Sequence, residues 1–161
     1  LAIPSSGLHS NGFSLIRYVL KKKKIKINNN KFLKKELLTP TKIYAKEVIK
    51  LIERNLINGC ANITGGGLKD NLSRVMPKGY GAEINLERVK TRKIFKFFKN
   101  LGIKDKEMLK TLNCGIGFCL IANLNNLKKI KKIFPKKYKP YVIGKVLKGK
   151  NKVILNGKIN W

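Results

Sequence analysis

Residues 60–77 read CANITGGGLKDNLSRVMP. Cys60–Ile63 is a short apolar run of strand character, and it ends in Thr64 and three consecutive glycines. Leu68 to Met76 then has helical spacing and stops at Pro77. A strand therefore enters a turn without side chains and leaves it as a helix. The first N–H groups of a helix have no intrahelical partner, so Gly65, Gly66 and Gly67 could bring bare backbone donors to an anion, with Thr64 as a hydroxyl donor. The same glycines also suit a tight connection that needs positive φ. The turn is not a Walker A loop, because no Gly-Lys-Ser/Thr follows and Lys69 lies beyond it.

Upstream, residues 5–20 read SSGLHSNGFSLIRYVL, with the chain's single histidine, His9, between two glycines. Phe13, Leu15, Ile16, Val19 and Leu20 recur at helical spacing, so this loop too precedes a helix. Either Ser10 or Asn11 caps that helix, or the loop lines an anion pocket with the glycine turn. The remaining pattern alternates strands with helices. Strands are expected at Leu1–Pro4, Tyr80–Leu86 and Gly115–Ala122, and helices at 42–57, Arg92–Leu101, Asp105–Leu112 and Leu124–Phe134. Asn28–Lys31 reads as a loop, and LLTPT as a turn in which Thr39 or Thr41 caps the following helix. The glycine pair in NCGIGF (113–118) is assigned to close backbone packing. Tyr141–Leu147 and Lys152–Leu155 close the chain as a hairpin. Uneven spacing and a terminal hairpin predict an α+β (mixed α/β) domain over residues 1–161, with one mixed β-sheet and helices packed against it.

At 161 residues and 43% hydrophobic, the chain can close one core. Its 37 Lys and Arg against 8 Asp and Glu give a formal charge of +29, which raises a lysine-rich nucleic-acid-binding module as a competing reading. Only five of those cations are arginine, and the lysines spread along the whole chain beside abundant Ile and Asn. That is the composition of A+T-rich coding and solvated surfaces, and no specific nucleic-acid partner is expected. Phe95, Phe97 and Phe98 sit on an amphipathic helix and are assigned to the core. Cys60, Cys114 and Cys119 form no CxxC pair, and one histidine makes a zinc site improbable; no metal-ligating residues are assigned. Reduced thiols indicate a cytoplasmic protein, and no apolar run is long enough for a membrane span. The opening LAIPSSG lacks an initiator Met and reads as a piece of a longer chain.

The motifs PSSGLHSNGFSLIR (4–17), ELLTPTKIYAK (36–46), ANITGGGLKDNLSRVMP (61–77), KEMLKTLNCGIGF (106–118) and YVIGKV (141–146) occur in one order. In that order the chain resembles the C-terminal domain of the phosphoribosylformylglycinamidine cyclo-ligase (AIR synthetase) family over nearly its whole length. FGAM synthetase and selenophosphate synthetase carry the same domain type with other glycine turns. One departure is Asn62, where many members of the family have His.

The resemblance implies an ATP- and Mg²⁺-dependent ligase of purine biosynthesis that closes formylglycinamidine ribonucleotide to aminoimidazole ribonucleotide. ATP activates the formyl oxygen, and an amidine nitrogen attacks. The resemblance also implies a homodimer, and an N-terminal domain, absent from this chain, that supplies most ATP and metal contacts. For this chain it implies that Ser6, Gly7, Ser10, Asn11, Gly12, Thr64, Gly65, Gly66 and Gly67 bind phosphate or substrate. His9 is the candidate proton shuttle, or else a hydrogen-bonding loop residue.

Overall fold

The computed structural model describes residues 1–161. Six strands, β1 (Ala2–Pro4), β2 (Gly59–Asn62), β3 (Tyr80–Asn85), β4 (Ile116–Ile121), β5 (Gly144–Lys148) and β6 (Val153–Asn156), alternate with seven helices. The helices are α1 (Phe13–Lys22), α2 (Lys31–Leu37), α3 (Ala45–Glu53), α4 (Gly67–Val75), α5 (Lys93–Asn100), α6 (Asp105–Thr111) and α7 (Leu127–Ile133). The mixed α/β class is as expected. No helix is long and apolar enough to cross a membrane.

The first sheet has order β1-β4-β2 and is antiparallel throughout. Both of its faces are covered, as the strand alternation requires. Ala2 and Ala61 are both register partners of Cys119, and these small residues face the larger core with α1, α4, α5 and α6. On the opposite face, Ile3, Phe118 and Leu120 meet Val48 and Leu51 of α3 and Ile130 of α7. Phe95 and Phe98 are fully buried and Phe97 is partly buried against the same large core, in line with their assignment as core residues.

The strands divide into two sheets instead of one, and the terminal hairpin does not form. The second sheet has order β5-β3-β6, with β3 inserted between the two last strands, antiparallel to β5 and parallel to β6. The connection from β5 to β6 crosses the start of β3 so closely that a Cβ on Gly81 would collide with the carbonyls of Lys150 and Lys152. Gly149 N–H donates to Gly79 O (2.7 Å), and Gly79 N–H donates to Asn151 Oδ1 (2.6 Å), which pins the crossing. The two sheets share one hydrophobic core, and the segment after α7 leads directly from one to the other. Tyr141 bridges Ala2 at the edge of the first sheet, and three residues later the chain enters β5 of the second.

Local signals explain the shifted helix ends. α3 stops at Glu53 because Asn55 takes φ 51°, and Leu56 N–H then bonds back to Leu51 O, so Leu56 packs beyond the helix end. Neither Thr39 nor Thr41 caps α3. Thr39 donates to Lys35 O, and Thr41 lies against Ser10. α2 follows the expected loop and is capped by Asn30, whose Oδ1 accepts from Leu33 N–H (3.0 Å).

Candidate functional site

The two glycine-bearing loops meet. A Cβ on Gly65 would lie 3.9 Å from Asn11 Oδ1, so the loop before α1 faces the turn before α4. The last turn of α6 supports both helix starts. A Cβ on Gly12 would strike Leu112 Cδ2 and come within 3.3 Å of Thr111 O, and one on Gly67 would strike Leu109 O. Gly12 (φ 79°), Gly66 (φ 91°) and Gly67 (φ 65°) all occupy the left-handed region, so positive φ and close approach are both requirements of these turns.

Neither Ser10 nor Asn11 caps α1. The cap residue is Gly12, without a side-chain hydrogen bond, and α4 is likewise entered from Gly66 without one. The glycines are needed for the packing against α6, which displaces a capping side chain from both helix starts; in α4 the first N–H, that of Gly67, bonds to Thr64 O (3.1 Å), and that of Leu68 has no acceptor in the chain.

Several predicted site residues have internal duties. Ser6 Oγ donates to Pro40 O (2.7 Å) and accepts from Lys42 N–H (3.0 Å), tying the loop to the chain ahead of α3. Thr64 Oγ donates to Asn71 Oδ1 (3.1 Å), so its proton is committed inward and is not offered to a phosphate. Gly7 O accepts from Asn113 Nδ2 (2.9 Å). Ser10 Oγ lies 3.3 Å from Thr41 Oγ1 at the surface. Asn11 makes no side-chain hydrogen bond within the chain and stands beside Gly65. Asn62 is exposed at the end of β2.

His9 is 7% exposed and has φ 59°, and its Nε2 accepts from Ser6 N–H (3.2 Å). The proton therefore sits on Nδ1. Burial first, and the Arg92 cation second, pull its pKa down from 6.5 to about 4. The imidazole is neutral at pH 7 and its Nε2 is an acceptor within the loop. Between pH 6.5 and about 4 the unfolded chain binds the extra proton and the folded one does not. Its contribution is therefore complete above pH 6.5 and is lost as pH falls through about 4. On acidification from pH 7 to 4.5, wild type should lose roughly 3–6 °C more in Tm than His9→Gln. Equal losses, read by thermal circular dichroism, would reject this account of His9.

Sequence reasoning missed Asn71 and Asn113. Asn71 Nδ2 reaches the carbonyls of Thr64 (3.3 Å), Gly65 (3.3 Å) and Gly67 (2.7 Å). Asn113 Nδ2 donates to Gly7 O and to Leu8 O (3.1 Å), while its Oδ1 accepts from Gly115 N–H (2.9 Å). The available signal for Asn113 was a polar side chain inside the apolar run LNCGIGF. The glycines of that run do serve close packing. A Cβ on Gly115 would lie 2.7 Å from Lys90 O, and one on Gly117 would strike Tyr44 Oη.

A cleft of about 750 Å³ lies elsewhere, between the two sheets, with Leu72, Ala82, Cys119 and Ile143 in its lining and none of the loop residues. Its lining is mostly apolar, with Arg88, Lys145 and Asn85 among the polar exceptions. The loop junction, with its unpaired N–H groups, is the stronger candidate on chemistry despite being open.

The family model "AIR synthase related protein, C-terminal domain" matches residues 1–156. The chain is 41% identical over 169 aligned residues to phosphoribosylformylglycinamidine cyclo-ligase of Lactobacillus helveticus, covering 98% of this chain and 48% of that protein. It is 43% identical over 157 residues to the same-named protein of Thermodesulfovibrio yellowstonii, covering 92% and 46%. The chain thus spans about half the length of these curated relatives. Thiamine monophosphate kinase from Aquifex aeolicus shares the fold, with TM-score 0.58 and 19% identity over 98% of this chain and 50% of that one. Five ordered motifs, the paired glycine loops and the match over residues 1–156 agree, and the chain belongs to the AIR synthase related protein, C-terminal domain, family.

Proposed function

We propose that residues 1–161 are a single C-terminal-type domain forming one wall of the active site of an ATP-dependent ligase. The ligase closes the ring of formylglycinamidine ribonucleotide in purine biosynthesis. The observation that carries the reading is the junction of two helix starts, α1 and α4, with free N–H groups and Asn11 beside Gly65. Such donors fit a phosphate of the ribonucleotide or of ATP. In this reading the N–H groups of Gly12, Gly65 and Gly66 hold the phosphate, Asn11 orients it, and Ser10 lies at the rim. Ser6, Gly7, Thr64 and Gly67 keep the loops in place, and neutral His9 holds its own loop by accepting from Ser6. ATP, when bound, supplies the phosphoryl group that activates the formyl oxygen. Such chemistry depends on positioning and charge stabilisation, which backbone donors can provide.

The chain's own residues do not fit Mg²⁺. No three His, Cys, Asp or Glu side chains come together as a ligand group. We assign the metal and most nucleotide contacts to the N-terminal half that the cyclo-ligase relatives possess, and with them the homodimer. The three free thiols support a cytoplasmic, reducing setting.

The test is ATP-dependent turnover of formylglycinamidine ribonucleotide. The chain alone should show none, and adding the N-terminal half of a family relative should restore it. In the restored enzyme Gly65→Val should raise KM at least tenfold with Tm nearly unchanged, since its new side chain faces only Asn11. Turnover by the chain alone, or an unaltered KM, would overturn the assignment.

A further inference from the structure

We propose that Asn71 and Asn113 are positioning residues that aim the backbone N–H groups of the two loops at one phosphate-bearing ligand, an inference that rests on the ligase reading above. Both side chains are buried, 6% and 2% exposed, beneath the loops they hold. The argument is peptide geometry. The chain has no cis peptide, and in a trans peptide the carbonyl of one residue and the N–H of the next point to opposite sides. Asn71 draws the carbonyls of Thr64, Gly65 and Gly67 inward, so the N–H groups of Gly65, Gly66 and Leu68 point away from it. Asn113 does the same to Gly7 and Leu8, so the N–H groups of Leu8 and His9 point away from Asn113.

None of these five N–H groups has an acceptor within the chain. Leu8, His9 and Leu68 are buried, and backbone donors withdrawn from water are almost always paired, so this set left open on two facing loops points to an external acceptor. One asparagine amide suits the task because it carries two donor hydrogens and no charge. Asn113, at the entrance to strand β4, also reaches a loop 106 residues away, so the loop's attitude is set by tertiary structure.

The experiment is an amide-resolved NMR titration of the ¹⁵N-labelled full chain with inorganic phosphate, repeated for Asn71→Ala and Asn113→Ala. In wild type, saturable shifts are expected at Leu8, His9, Gly12, Gly65, Gly66 and Leu68. Each folded variant should bind phosphate at least tenfold more weakly, with the shifts lost chiefly in the loop its own asparagine holds. A merely structural role would lower Tm and leave the affinity alone. No shift anywhere in wild type would remove the phosphate pocket, and this proposal with it. Shifts confined to the helix amides Phe13–Leu15, Lys69 and Asp70, or folded variants binding as tightly as wild type, would overturn the positioning role while leaving the pocket intact. The wild-type pattern decides the matter even if a variant fails to fold.

Discussion

Gly67→Val is expected to unfold the protein. Gly67 has φ 65°, a conformation that costs any L-residue and most of all a β-branched one. The added Cβ would also strike the Leu109 carbonyl oxygen and lie 2.9 Å from its carbon. That carbonyl belongs to α6, whose last turn also carries the Gly12 contact, so relief would have to move both helix starts together. Backbone strain plus overpacking should cost more than about 4 kcal/mol, a large part of the 5–15 kcal/mol typical of a domain. Gly79→Val is the control. Gly79 has φ 85° but nothing within 4 Å of a new Cβ, so it carries the strain alone, about 1–2 kcal/mol. Urea unfolding followed by circular dichroism separates the two. If both variants lose the same stability, the α6 contact is not what fixes this turn.

Gly117→Ala should have the second largest effect, with a sign opposite to the usual one. Within a strand, alanine ordinarily gains roughly 0.5–1 kcal/mol over glycine. Here the methyl would strike Tyr44 Oη and come within 2.6 Å of His9 Cε1 and 2.7 Å of Tyr44 Cζ. Tyr44 cannot simply withdraw, because its hydroxyl donates to Pro4 O (2.8 Å) and its ring packs on Phe118. A loss of about 2–4 kcal/mol is expected. Tyr44→Phe removes the colliding oxygen, so the double variant should lose clearly less than the sum of the singles. Gly59→Ala in β2 meets only the Ile121 side chain, at 3.4 Å or more, and should change stability little. Strict additivity in the Gly117–Tyr44 pair would show that the collision is absorbed elsewhere.

Much of the fold was legible because its signals are local. Phe13, Ile16, Val19 and Leu20 repeat at the helical period, and α1 forms there. The apolar run before Thr64 and the glycines after it place β2 and α4 within a residue or so of the reading. The caps were not legible. Ser10 and Asn11 are favoured N-cap types, but Gly12 took the position because α6 packs against it. The same holds for Thr64, whose hydroxyl looked available until Asn71, one helical turn into α4, claimed its proton.

By itself the sequence determined the alternation of strands and helices, the glycine-bearing loops ahead of α1 and α4, and the family. Each of these is written in residues close together along the chain or in a fixed order of motifs. The tertiary structure alone decided which strands are neighbours: β5 and β6 read as a hairpin, yet β3 lies between them. It alone decided that Asn113 would hold a loop more than 100 residues away, and that His9 would be neutral. The physical reason is common to all three. Periodicity reports which side of a segment is apolar, whereas strand partners, buried hydrogen bonds and desolvated titrations depend on which distant surface covers that side.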